Sequence, residues 1–351
     1  MSLTKTTIRI LPETIRLVKM TDKEYFSSEN KDYISNSKLG LINPDEGGSY
    51  EKYEQGFKSG YSDSFELGSA VHAIVLQPDY FNVSDLRKPG GKLGLCVEKF
   101  YEYRRKGLSI NESISLSSAD ADYYKDKMTP TRLKTAIKSS LPFYLKRIHI
   151  KDSLDGIETI YLSETNAAKY EKCVLGIKSN PKVDEILYPK GLITPAEVYN
   201  EYAIFAEVEV TIDGKLTRLK LKAKLDNFTV NHETQEITLN DLKTTGKPIN
   251  FFMGNNVTVK DEEGKYIGKT WYDGSFQKFH YYRQMGMYLW LLSCCMQNQG
   301  FNYKLKANMV VVETIPEFRT KVYPVTDKQI KQGLDEFKKL LTLVVEWIEK
   351  K

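Results

Sequence analysis

Residues 206–245 read AEVEVTIDGKLTRLKLKAKLDNFTVNHETQEITLNDLKTT, and this stretch decides the fold. Ala206, Val208, Val210 and Ile212 alternate with Glu207, Glu209 and Thr211, the two-residue period of a strand with one face covered. Asp213-Gly214 follows, a pair that accepts the positive φ values of a two-residue hairpin turn. Leu219, Leu221, Ala223 and Leu225 then alternate with Arg218, Lys220, Lys222, Lys224 and Asp226. A two-residue loop pairs Ile212 with Lys215. Counting outward sets Val208 opposite Leu219, Glu209 opposite Arg218 and Glu207 opposite Lys220. Apolar meets apolar and acid meets base, so the register is self-consistent. The same count brings Glu201 opposite Asp226, where a bulge could shift the far end. A turn at Asn231–Thr234 leads to a third strand, Glu236–Thr244.

Outward from this meander, Phe276–Cys295 reads as a long apolar helix after a Gly-rich, charged insertion at 253–275 that suits a loop or small hairpin. Asn308–Glu313 reads as a buried strand, and Thr320–Pro324 as another. Thr326–Glu349 reads as an amphipathic helix with Ile330, Leu334, Phe337, Leu341, Val344 and Ile348 on one face. Towards the N-terminus, Phe65–Gln77 is a short apolar helix stopped by Pro78. Glu164–Leu187 is helical on both sides of Pro181, and 97–150 is charged and helical in pattern. Residues 43–64 suit loop and weak helix. Residues 1–33 suit an irregular arm with a strand at Ile8–Ile10, and Ser35 and Ser37 stand where a helix cap is wanted. The expected fold is α/β (α+β): a central mixed β-sheet with an antiparallel meander, flanked by helices. It is expected as one domain over 1–351, with an N-terminal arm and helix (1–64), a helical part (65–200) and the sheet with its closing helices (201–351).

Of the 351 residues, 41% are hydrophobic and 28% charged, which excludes a disordered, collagenous or membrane-spanning chain. The most apolar run, Met285–Cys295, is too short to cross a bilayer. The start, Met-Ser-Leu-Thr-Lys, has no apolar signal core, so the cytoplasm is expected. The four cysteines form no Cys-x-x-Cys pair and suggest neither a zinc knuckle nor an iron–sulfur cluster. The net charge of +5 is too mild to imply nucleic acid, although Lys215, Arg218, Lys220, Lys222 and Lys224 fall within ten residues.

The chemistry concentrates on Asp226 and, fifteen residues later, Asp241-Leu242-Lys243. On a strand, residues 241 and 243 share a face, about 6–7 Å apart. Two carboxylates at neighbouring strand ends suit a hard divalent cation such as Mg²⁺, and a lysine beside it can position a water and offset charge on a phosphate. The alternative is a surface strand with ordinary charges, but the triplet lies among Ile237, Leu239 and Leu242, where charge is costly to bury. Asp241 shares parity with Ile237 and Leu239, which requires a strand covered on both faces or a bulge. His72, mid-helix one turn after Gly68, is either a satisfied core residue or a ligand. Tyr281, Gln284 and Tyr288 share one helix face, and their polar tips need core partners or a DNA phosphate. Gly268-Lys269-Thr270 is not a phosphate-binding loop, because position 263, where the first glycine would stand, is Glu.

Together these pieces resemble the PD-(D/E)XK nuclease superfamily, in particular its exodeoxyribonuclease VIII-like branch related to RecB-type nuclease domains. The resemblance is carried by ISNSKL (34–39), LGSAVHAIVLQPDYF (67–81), KAKLD (222–226), NDLKTT (240–245), YYRQMGMY (281–288) and VVVETIP (310–316), in the family's order over most of the chain. It implies a restriction-endonuclease-like core. His72, Asp226 and Asp241 would be ligands of Mg²⁺, with Mn²⁺ able to substitute. Lys243 would be the catalytic lysine beside catalytic Asp226 and Asp241. Gln284 and Tyr288 would form the Gln-x-x-x-Tyr motif that supports the site and contacts DNA. Lys222 and Lys224 lie on the strand expected to touch phosphate. Lys224 departs from the arginine common in the family, and lysine offers no bidentate fork. The superfamily often has an extra acidic ligand, and Glu207 is the candidate, with a cross-strand pair to Lys220 as its alternative. The resemblance implies a metal-dependent exonuclease acting on linear double-stranded DNA ends in recombination or DNA processing. It also implies a possible homo-oligomeric ring, a single-strand annealing protein as partner, and no membrane. The alternatives are a structure- or site-specific endonuclease, or a non-catalytic DNA-binding or assembly protein.

Overall fold

The computed structural model describes residues 6–57, 63–121, 130–148, 153–154, 157–189 and 196–351. Parts of three expected segments, at 1–5, 58–62 and, within the helical region, 122–129 and 149–150, lie outside them. The chain separates into two compact units, Met1–Lys58 with Ile177–Lys351, and Ser59–Gly176. The first begins with β1 (Thr6–Ile10), β2 (Arg16–Lys19), α1 (Asp22–Tyr25), α2 (Asn36–Gly40) and α3 (Tyr50–Gln55). The second contains α4 (Asp63–Leu76), β3 (Phe81–Val83), α5 (Gly91–Arg105), α6 (Ile110–Asp120), α7 (Pro130–Ser139), α8 (Leu141–Ile148), β4 (Ser153–Leu154), β5 (Ile157–Ile160) and most of α9 (Glu164–Lys178). The first is completed by α10 (Pro181–Leu187), β6 (Glu197–Ile212), β7 (Lys215–Asn231), β8 (Glu236–Thr245), β9 (Asn255–Lys260), β10 (Tyr266–Tyr272), α11 (Ser275–Lys278), α12 (Tyr281–Asn298), β11 (Lys304–Glu313), β12 (Thr320–Pro324) and α13 (Asp327–Glu349). No helix among the described residues is long and apolar enough to cross a membrane.

The second unit is mainly helical with a small sheet ordered β3-β5-β4. Ala70 of α4 packs there against Leu162 and Ala167.

The first unit carries a seven-stranded mixed sheet ordered β1-β6-β7-β8-β11-β12, with β2 also pairing β6. Only β8 and β11 run parallel. The α+β class expected from the sequence is therefore observed. The register of β6 and β7 is the counted one, with Ile212 opposite Lys215, Val208 opposite Leu219 and Glu207 opposite Lys220. It runs unshifted to Glu197 and Val230 but omits the Glu201–Asp226 pair. The reason lies in the backbone: Glu201 has φ 58°, a left-handed conformation uncommon outside glycine. That residue interrupts the side-chain alternation, so the rings of Tyr199 and Tyr202, of opposite parity, approach to 5.2 Å.

The apolar faces of α12 and α13 close the core, with Phe337, Leu341 and Val344 buried among Met285, Leu289 and Leu292. The two helices touch backbone to backbone. A Cβ on Gly333 would fall 1.8 Å from the Tyr282 carbonyl oxygen, so only glycine fits. The helix expected from Phe276 is broken, because His280 takes φ 50° between α11 and α12. That turn aims the His280 ring at Glu336 of α13, Nδ1 to Oε1 2.8 Å. Tyr282 donates to the same carboxylate, and buried Arg283 donates to Glu336 at 2.9 Å and also to Glu46. Burial alone would raise the Glu336 carboxyl, but the hydrogen bonds from His280 and Tyr282, with the charges of His280 and Arg283, hold it down at about 2.

A depressed folded-state carboxyl stabilises above its ordinary pKa and loses that contribution as pH falls through the folded value. Glu336→Gln is expected to lower the stability of the first unit near neutral pH by on the order of 3 kcal/mol. The gap to the wild type should shrink as pH drops from about 4.5 towards 2. Urea titrations followed by fluorescence of Trp290, which packs on Phe337 of α13, read this directly. A gap independent of pH in that window would exclude Glu336 as the cause.

Candidate active site

The sheet carries a row of asparagines in register across four strands. The Asn227 amide donates to Asn200 at 2.7 Å, Asn240 to Asn227 at 2.7 Å, and Asn308 to Asn240 at 2.9 Å. Asn240 and Asn227 also donate to the Ile186 and Leu187 carbonyls at the end of α10. Both are fully buried, where an amide left without partners would be costly. Asn227–Asn240 is the last ladder pair between β7 and β8. One residue further the strands part, and the Asp226 carboxylate takes over the free backbone donor, accepting from the Leu242 N–H at 2.8 Å. Asp226 and Asp241 thus stand opposite each other at the opening of the sheet.

β8 is buried on both faces from Leu239 to Leu242, which explains a charged residue in phase with Ile237 and Leu239 without a bulge. Asn240 faces α10, while Asp241 faces α12 and accepts from Gln284 Nε2 at 2.6 Å on Oδ1. Its Oδ2 is paired with Lys243 Nζ, which lies 4.0 Å from Asp226 Oδ2. Burial pulls the Lys243 ammonium down, but Asp241 and Asp226 outweigh it, so the group is held above its ordinary value and stays charged. The Tyr281 ring lies 5.3 Å from that ammonium. Tyr288, one turn beyond Gln284, is hydrogen-bonded to it, and burial raises its hydroxyl well above the usual range. The structure therefore brings Asp226, Asp241, Lys243 and Gln284 into one cluster with Tyr288 behind Gln284.

Glu201, rather than the expected Glu207, completes the cluster. Its carboxylate lies within 4.8 Å of that of Asp226. Burial and the nearby Asp226 charge push it up to about 7, and Lys224 Nζ pairs with it at 2.6 Å. The signal was present in the hairpin count, which set Glu201 opposite Asp226. Glu207 lies six residues along the same strand, roughly 20 Å away by strand rise. It sits opposite Lys220, with its backbone bonded to Leu11 and Thr14. The expectation of Glu207 as a ligand is corrected on that ground.

Lys222 also departs from expectation. It turns inward, donates to the Tyr25 and Asn30 carbonyls at 2.9 and 3.0 Å, and lies over the Tyr25 ring. Burial lowers its ammonium, and a phosphate contact is excluded by its position in the core. Lys224 is held between Glu201 and Asp22 rather than presented to solvent. His72 lies half-buried on α4, in the other unit.

The carboxylates of Asp22, Glu201, Asp226 and Asp241 face the ammonium groups of Lys224 and Lys243. Four carboxylates gathered around two ammonium groups make an oxygen-rich donor set that suits one hard divalent cation.

No family model and no curated protein matches the chain. Among solved structures, it is similar to a "Putative exonuclease" from Eubacterium rectale, at 15% identity and a TM-score of 0.47, over 94% of this chain and 86% of that one. A second likeness is to the protein VC1899 from Vibrio cholerae, at 13% identity and a TM-score of 0.19, over 86% of this chain and 60% of that one. At these values neither carries an argument about activity.

The asparagine row should be a principal support of the site. Asn240→Ala leaves the buried Asn227 carbonyl without its donor and is expected to cost about 3 kcal/mol. Asn308→Ala, at the half-buried end, should cost about 1 kcal/mol. Urea midpoints compare the two, and equal losses would show that the row does not act as a unit.

Proposed function

We propose that the chain is a divalent-metal-dependent deoxyribonuclease that hydrolyses phosphodiester bonds, with exonucleolytic digestion of linear double-stranded DNA as the leading activity. The observation that supports it is the meeting of Asp226, Asp241 and Lys243, with Glu201 and Gln284, where the central strands part. These residue types in one cluster suit hydrolysis at phosphorus, which needs charge stabilisation and a placed water.

Asp226, Asp241 and Glu201 would hold Mg²⁺ or Mn²⁺. His72 is a further candidate ligand on the sequence resemblance. When bound, the cation supplies positive charge against the phosphate and polarises water. The protein's own groups do the rest. Lys243, kept protonated by its two carboxylates, can donate to the attacking water or to a non-bridging phosphate oxygen. Asp241 fixes the direction of Lys243, and Gln284 fixes Asp241 from α12. The Leu242 N–H orients Asp226. Tyr288 shields the back of the cluster from water and steadies Gln284.

Pure protein should digest linear duplex DNA with Mg²⁺ and stop on chelation. Asp241→Ala and Lys243→Ala should each lower the rate by about a hundredfold or more. Mn²⁺ should raise the melting temperature of the wild type by mass action, and Asp226→Asn combined with Glu201→Gln should abolish that shift. Digestion of closed circular DNA at the same rate would favour an endonuclease. Equal digestion by the wild type and both alanine variants would overturn the assignment.

A further inference from the structure

Between Lys243 and the helix that carries Gln284 the chain inserts the β9–β10 hairpin. At its base lies a cavity of about 290 Å³ lined by Lys247, Pro248, Phe251, Val257 and Tyr272. Its lining is apolar or aromatic apart from the Lys247 ammonium and the Tyr272 hydroxyl, and its volume is close to the lower end of small-molecule sites. Lys247, exposed at the mouth, pairs with the Tyr272 hydroxyl and lies 5.1 Å from the centre of that ring. The Phe251 ring stands nearly perpendicular to Tyr272, at 6.1 Å and 80°.

Aromatic contacts run from the site as far as buried Phe252, the neighbour in sequence of cavity-lining Phe251. Tyr281, beside the Lys243 ammonium, stacks on Phe252 at 5.9 Å and 16°, and Phe252 follows Phe251 in the chain. Exposed Phe279 lies 5.9 Å from Tyr281 and carries Lys278 near its ring. Rings alternating with lysines suit a strand of stacked bases with charged phosphates between them. The acidic residues of the hairpin, Asp261, Glu262 and Glu263, are at its turn, the end away from Val257 and Tyr272. Lys247 lines the cavity itself, while Asp273, next to Tyr272, accepts from the Trp271 indole N–H.

We infer that this cavity is a stacking pocket for one nucleobase of single-stranded DNA next to the cleaved bond, with Lys247 meeting the adjoining phosphate. The inference rests on the nuclease reading above. A pocket walled mainly by rings and apolar side chains would stack any base, so it confers a preference for unpaired strand rather than for sequence.

The test uses the full chain carrying Lys243→Ala, with Ca²⁺ replacing Mg²⁺, and a fluorescein-labelled oligothymidylate followed by anisotropy. Tyr272→Ala should weaken binding about tenfold. Tyr272→Phe, which keeps the ring and loses the hydroxyl, should bind within about twofold of its parent. Lys247→Ala should weaken binding and flatten its salt dependence. Should Tyr272→Ala fail to fold, Val257→Met fills the cavity from the opposite wall and must give the same loss. Unchanged affinity in Tyr272→Ala, or a Tyr272→Phe variant as weak as Tyr272→Ala, would overturn the pocket. Digestion of duplex DNA by the wild type reports on the nuclease reading separately. If the wild type digests while Tyr272→Ala still binds tightly, the pocket falls and the nuclease stands.

Discussion

The molecule's chemistry depends on where the hydrogen-bond ladder between β7 and β8 stops. Backbone donors at a parting of strands must be satisfied by something, since the interior offers no water in exchange. Here the Asp226 side chain does so, by accepting from the Leu242 N–H. One residue earlier the buried asparagine row ties β6, β7, β8 and β11 together. That closed polar network beside the parting of the strands fixes where the carboxylates stand. Glu201 contributes from the other side, because its left-handed backbone breaks the β6–β7 pairing at the position opposite Asp226. Two interruptions of regular pairing, both centred on Asp226, account for the cluster.

Much of this frame was legible in local pattern. Alternation and the Asp213-Gly214 turn fix the meander to single-residue register, because a slip by one would turn every apolar side chain outward. That register carried Glu201 to Asp226, and the parity of Asp241 required a strand covered on both faces. What escaped was set by tertiary contacts. Nothing local marks Glu201 or His280 for positive φ, and each adopts it where its side chain finds partners distant in sequence. Asn200, Asn227, Asn240 and Asn308 look like scattered polar residues until the sheet aligns them. Lys222 reads as one more surface cation in a basic strand, yet α1 and the turn after it fold over that strand and cover it. Strand β2, an edge strand of four residues, is too short to stand out by period.

Among the described residues of the first unit, two gatherings of carboxylates have the elements of a cation site. Glu46, His280 and Glu336 offer ligand atoms within 4.8 Å of one another. Yet Arg283 Nη1 contacts both carboxylates, and Asn43 donates to each of them. Arginine stays protonated at any physiological pH, so it already supplies the charge that a metal would bring. That cluster is a finished structural joint between α12, α13 and the turn after α2. Around Asp226 the balance is different. Lys224 pairs with Glu201 and Asp22, Lys243 pairs with Asp241 and lies 4.0 Å from Asp226, and Asp226 accepts from a backbone N–H. A neutral donor orients a carboxylate without cancelling its charge. Stability alone would favour fewer carboxylates here, as gathering buried like charges is costly. Retaining them in a fixed, oxygen-rich arrangement is reasonable where a divalent cation and a phosphate must be accommodated in turn.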